Sequence, residues 1–152
     1  VDDGASVPVL GKLHVIRITN IRKISVVDDQ ILVPRRSSSI GAQVKGFLKS
    51  LARDNLAQAS DHYAQRLGYS YQGLRLRDTR SRWGSCSSDG HLMYSWRLVM
   101  APRDVLNYVA AHEVAHLVEM NHSKSFWTVV HDITTCILCF NHLDWCRKID
   151  YI

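Results

Sequence analysis

The spacing of apolar positions changes along the chain, and each change marks an element. Residues 7–18, VPVLGKLHVIRI, read as two short strands around Gly11. Residues 24–34, ISVVDDQILVP, repeat the arrangement: β-branched runs flank Asp28-Asp29, and Pro34 ends the second. The first 36 residues are therefore expected to form a small antiparallel sheet. From Ser37 the period lengthens. Val44, Phe47, Leu48, Leu51, Leu56, Ala59, Tyr63 and Leu67 fall near a 3.6-residue repeat, which predicts an amphipathic helix of about 25 residues lying across the sheet. Ser37, Ser38 and Ser39 are candidate caps at its start, and Gly68 is a natural stop, giving a helical span of 37–68.

Beyond it, Leu74-Arg75-Leu76-Arg77 alternates as a strand does, and Asp89-Gly90 marks a hairpin turn within 74–100. Pro102 suits the first turn of a helix running through RDVLNYVAAHEVAHLVEM. Asn121 tolerates the left-handed conformation that ends helices, and Ser123 can cap the next one. Residues 126–148 are apolar enough to be a core-seeking C-terminal helix. The order of strands, long helix, hairpin and two helices over 102–152 is an α+β layout, expected as a single domain over 1–152.

Composition removes several classes of function. The 46% apolar and 22% charged content is that of a globular protein rather than a disordered one. No apolar run approaches the ~18 residues of a membrane span, so no membrane partner is expected. The start, VDDGASVPVL, has neither the basic end nor the apolar core of a secretion signal. Cys86, Cys136, Cys139 and Cys146 lack the layout of a disulfide scaffold, so reduced thiols in a cytoplasmic protein are expected. The net charge of +5 is uneven: residues 1–82 carry 14 Lys/Arg against 7 Asp, whereas 83–152 carry 5 against 7 acidic groups. Such a basic half is either a solvated face or a surface for an anion such as a nucleotide or nucleic acid.

The candidate chemistry lies in HEVAHLVEMNH, residues 112–122. On a helix His112 and His116 stand about 40° apart around the axis and about 6 Å along it, so two imidazoles share one face. Glu113 sits one step round, off the ion but able to reach a water beside it. That is the mechanical content of H-E-x-x-H: two neutral imidazoles grip zinc and the glutamate takes a proton from the water. A catalytic zinc usually needs a third protein ligand. His122, six residues after His116, can supply it only if the helix stops, and Asn121 is the expected break. The spacing is that of H-E-x-x-H-x-x-G-x-x-H, except that Glu119 stands where that pattern has Gly. Unpartnered histidines on a helix that is apolar nearly all round would be costly, and a metal is the economical partner.

The segment RDTRSRWGSCSSDGHLMYSWRLVMAPRDVLNYVAAHEVAHLVEMNHSKSFW closely resembles the YgjP-like metallopeptidase domain family. Its hallmarks are a TRWGSCS-type segment, a W-R-L-x-x-A-P segment, and H-E-[LV]-A-H followed by N-H-S-x-x-F-W. The resemblance implies a zincin-like fold, one zinc ion, an intracellular protein and a peptide or protein substrate. It implies His112, His116 and His122 as zinc ligands and Glu113 as catalytic base. The motif spacing is also similar to that of SprT-like and WLM proteases, which act on proteins on DNA. The C-terminal CILCFNHLDWCRKIDYI departs from the family, in which a Pro commonly begins the last helix.

Other residues compete for roles. RSRWGSCS, residues 80–87, is either an edge strand for an extended substrate beside the metal or a structural hairpin with Trp83 and Trp96 as anchors and Gly84 as a bulge. Cys86 lacks a separate base to make it a nucleophile. Cys136, Cys139, His142 and Cys146 form either a second metal site or the inward stripe of a helix. Tyr94 and His131 are candidate oxyanion donors, and Arg75, Arg77, Arg80 and Arg82 a candidate basic face. The reading is a zinc metallohydrolase, foremost a metallopeptidase. The alternatives are a zinc-dependent hydrolase of a nucleotide or other non-peptide bond, and a zinc-stabilised nucleic-acid-binding module. The last is disfavoured because a structural zinc needs no Glu113.

Overall fold

The computed structural model describes residues 1–35 and 39–134. Seven strands and three helices follow in order: β1 Ser6–Val9, β2 Lys12–Thr19, β3 Ser25–Val27, β4 Gln30–Pro34, α1 Ile40–Leu67, β5 Gly73–Arg77, β6 Gly84–Cys86, β7 His91–Ser95, α2 Arg103–Ala115 and α3 Lys124–Ile133. A 3₁₀ turn, Trp96–Met100, joins β7 to α2. The α+β class and the long first helix are as expected. No helix among the described residues is long and apolar enough to cross a membrane.

The strands differ from expectation in their neighbours. They form two sheets, ordered β1-β2-β4-β3 and β5-β7-β6, and each contains a parallel pair, β2 with β4 and β5 with β7. Burial explains the order. Ile31 and Val33 of β4 are fully buried and must lie inside, next to the buried Ile16 of β2. Val26 and Val27 of β3 are 41% and 51% exposed, so β3 takes the edge. Likewise β7, with Leu92, Tyr94 and Ser95 buried, lies between the more exposed β5 and β6. The expected β6–β7 hairpin is present, closed by Ser87–Gly90 with the Gly90 N–H donating to the Ser87 carbonyl.

Helix α1 is capped as its sequence suggests. Ser39 Oγ accepts from the Ala42 N–H, and Gly68 closes the helix at φ 71° with its N–H on the carbonyls of the last turn. Candidate caps Ser37 and Ser38 lie outside the described residues. The buried face of α1, Val44, Leu48, Ala52, Leu56 and Ala59, packs against α2, the 3₁₀ turn, β4 and β5. Helix α2 is thus held from both sides: Val105, Leu106, Val109, Ala110 and Val114 enter the main core, and Ala111 and Ala115 face Phe126, Val130 and Ile133 of α3.

Leu106 is fully buried in that core. Leu106→Ala should lower the unfolding free energy by about 2–5 kcal/mol, since it removes apolar contacts and leaves a cavity. Urea denaturation checks this, and a loss below about 1 kcal/mol would contradict the packing.

Candidate metal centre

The end of α2 is set by a tightening of the backbone ladder. The N–H groups of His116, Leu117 and Val118 donate to the carbonyls of Glu113, Val114 and Ala115, three residues back, at 3.2, 2.9 and 3.0 Å. The helix therefore stops at Ala115, earlier than the expected Met120, with His116 as its cap residue. Asn121 does not supply the break. The described residues other than glycine at positive φ are Leu10 and Asp28. Instead the His116 ring reaches forward, and its Nδ1 lies 3.0 Å from the Glu119 carbonyl oxygen. A carbonyl can only accept, so Nδ1 carries the proton and Nε2 keeps its lone pair. Glu119 thus takes part through its main chain, which explains why a residue other than glycine can stand there.

The turn brings His122 back beside the other two histidines. The ligand atoms of His112, His116 and His122 all lie within 4.8 Å of one another, with His112 Nε2 and His122 Nε2 3.1 Å apart. Two nitrogens bound at ≈ 2.0–2.1 Å to one tetrahedral zinc would be about 3.3 Å apart, the same order as these separations. Among the described residues this is the one group of three such side chains that could hold a metal. The candidate second cluster, Cys136, Cys139, His142 and Cys146, lies outside the described residues.

Aromatic residues hold the rings. Ser123 caps α3, its Oγ accepting from the Phe126 N–H at 3.3 Å. Phe126 then stacks on His116 with centroids 4.4 Å apart, and Trp127 on His122 at 5.9 Å. Burial, with the neighbouring His116 and His122 adding to it, pulls the His112 pKa down to about 3. Burial also lowers that of His116. Neutral rings keep the lone pairs that a cation requires.

Glu113 is 7% exposed and lines the same cleft of ≈ 440 Å³ as the three histidines. Its carboxylate is pressed against β6. A Cβ on Gly84 would come 2.8 Å from Glu113 Cγ and 3.1 Å from Oε1. Gly84 is therefore the one residue type that lets the strand approach the carboxylate this closely, a tighter constraint than a bulge. Trp83 is half-buried against the core and also faces the cleft.

The other candidates separate clearly. Tyr94 is fully buried, its hydroxyl 2.9 Å from Ser60 Oγ, and burial drives its pKa up. His131 is exposed on α3 and is not among the cleft residues. Neither reaches the centre. Tyr108 does, one turn before His112, with ring centroids 6.5 Å apart. The signal was the i, i+4, i+8 spacing of Tyr108, His112 and His116 on one helix face. Arg82 also reaches the cleft, whereas Arg75 and Arg77 point elsewhere on β5.

Cys86 lines the cleft with its pKa raised to about 11, first by burial and then by Glu113 and Asp89. A raised pKa keeps the thiol protonated through neutral pH, which removes it as a nucleophile. Iodoacetamide labelling, read by mass spectrometry on the Cys86 peptide, should be slow at pH 8 and rise about tenfold per pH unit toward pH 10. Labelling at pH 8 as fast as free cysteine would contradict this environment.

Curated proteins return no match. Among solved structures, the metallopeptidase zymogen abylysin of Pyrococcus abyssi is similar at 23% identity and a TM-score of 0.49, over 64% of this chain and 92% of that one. The family model of the YgjP-like metallopeptidase domain matches residues 1–135, a span that includes both sheets and the three helices among the described residues and the three converging histidines. Matched over that length, the chain belongs to the YgjP-like metallopeptidase domain family.

Proposed function

We propose that the chain is a zinc-dependent metallopeptidase in which His112, His116 and His122 hold one zinc ion and Glu113 is the catalytic base. The observation that carries this reading is a single cleft in which three imidazoles converge and a buried carboxylate stands one residue from the first of them. Three protein ligands leave a fourth position for water, the arrangement of catalytic rather than structural zinc.

The ion, when bound, supplies a Lewis acid that lowers the pKa of water toward ~7 and polarises the scissile carbonyl. The chain's own residues do the rest. Glu113, held against Gly84, accepts a proton from the attacking water and passes it to the leaving amine nitrogen. The phenol of Tyr108, facing the cleft a turn from His112, is suited to donate to the developing oxyanion. β6 is an edge strand of its sheet and runs along the cleft, so an extended peptide can pair with its main chain. Met120 and Trp127, 47% and 43% exposed at the rim, offer apolar contact to side chains flanking the scissile bond.

Glu113→Gln should abolish peptide hydrolysis, a loss of at least about 10³-fold, while retaining zinc. His122→Ala should lose zinc as well as activity. Metal analysis beside an assay on casein, with nucleoside triphosphates and DNA as competing substrates and a chelator control, checks both. Full activity in Glu113→Gln, or chelator-sensitive hydrolysis confined to nucleotides, would overturn the reading.

A further inference from the structure

A second concave surface lies across the β5-β7-β6 sheet from the cleft. Two adjoining depressions of ≈ 560 and ≈ 260 Å³ share Arg53, Leu76, Arg77 and Asp78 and form one groove between α1 and β5. Its walls are cationic. Lys49 and Arg53 line it from α1, and Lys45, one turn earlier and outside the lining, extends the same exposed stripe of like charge, which destabilises the helix unless something offsets it. Arg75 and Arg77, alternate exposed residues of β5, face the groove from the other side.

The carboxylate in the groove cannot neutralise this set. Asp78 is already shared by Lys45 Nζ at 3.4 Å and Arg97 Nε at 2.9 Å. Lys49, Arg53, Arg75 and Arg77 have no ion pair among the described residues. The linings of groove and cleft are neighbours along the chain. Asp78 and Thr79 line one, Ser81 and Arg82 the other. The link is braced: Thr79 Oγ1 donates to the Arg82 carbonyl at 2.7 Å, and Ser95 Oγ donates to the Thr79 carbonyl at 3.0 Å. Thr79 and Ser81 are two residues apart, at most about 7 Å of extended chain, so the two linings lie close together.

We propose that this groove docks an acidic, extended segment of the protein substrate and leads it toward the cleft, a proposal that rests on the peptidase reading. Charge and spacing favour that occupant. Side chains at i and i+2 of a strand are about 6.6 Å apart, so alternate carboxylates of an extended peptide match Arg75 and Arg77 in register. Lys49 and Arg53 add charge from the helix side. Single-stranded nucleic acid would call for an exposed aromatic platform for its bases, and the groove's aromatic residue, Trp96, is 5% exposed.

The test measures binding on Glu113→Gln full-length chain, so that it needs no catalysis. A fluorescent peptide of alternating glutamate and serine is titrated by anisotropy at low salt, beside its glutamine counterpart and an oligonucleotide of equal charge. The glutamate peptide should bind, and Arg75→Gln/Arg77→Gln should weaken it about tenfold, the loss of two or more exposed ion pairs. Arg53→Gln, which alters one exposed helical residue, should weaken it in the same direction and serves if the double variant unfolds. Lys23→Gln, on an exposed residue between β2 and β3, should change it less than about twofold, because a remote charge is screened. In the zinc enzyme the groove variants should raise KM for a substrate carrying the acidic tract and leave kcat unchanged. Equal binding of the glutamine peptide, equal loss in Lys23→Gln, or tighter groove-dependent binding of the oligonucleotide would overturn the proposal. Absence of peptide cleavage by the zinc enzyme with groove binding intact would sink the peptidase reading instead.

Discussion

The hydrogen bond from His116 Nδ1–H to the Glu119 carbonyl is the constraint on which the centre depends. It fixes the tautomer of His116 and satisfies a carbonyl left without a helical partner. It also turns the chain so that His122 returns to the face it left. A helix continued through His122 would carry that residue about 240° around the axis from His116. The i→i−3 bonds that end α2 at Ala115 are therefore as important to the site as the histidines themselves. The small residues Ala111 and Ala115 let α3 approach that end closely, and Ser123, Phe126 and Trp127 fix the rings from the other side.

The same packing sets the electrostatics. Three imidazoles this close would repel one another if protonated, and burial adds to that cost at His112 and His116. His112 and His116 are thereby favoured in the neutral form, a state poor for charge pairing and suited to binding a cation. Beside them Glu113 is buried against a strand that can approach only because residue 84 has no side chain. The proximity of that carboxylate helps raise the Cys86 thiol, so the cleft offers no competing nucleophile there. Across the sheet the charge has the opposite character: exposed, cationic and largely unpaired. The sheet thus separates a desolvated chemical centre from a solvated basic groove.

Much of this was legible in the sequence, and the remainder for physical reasons was not. Periodicity located α1 because its buried stripe runs for 28 residues between a serine cap and a left-handed glycine. The Asp89-Gly90 turn and the Ser123 cap were equally local, and the shared face of His112 and His116 followed from helical geometry. Strand neighbours were not legible. A run such as QILVP says that it is buried, not which strands bury it, so parallel pairing of β4 with β2 was missed. The early stop of α2 lies in a switch to i→i−3 backbone bonds, followed by a side chain bonding to a carbonyl three residues ahead, which no propensity encodes. Tyr108 was overlooked beside the histidines that share its face, and Gly84 read as a bulge because its neighbour Glu113 is distant in sequence.

The central claim is that this turn builds a metal site with three protein ligands and one position left to solvent. X-ray absorption spectroscopy of the zinc-loaded wild-type chain tests it most directly. The spectrum should show three imidazole nitrogens at about 2.0–2.1 Å and one further light-atom ligand. Sulfur in the coordination shell, or a fourth ligand from the protein, would contradict it.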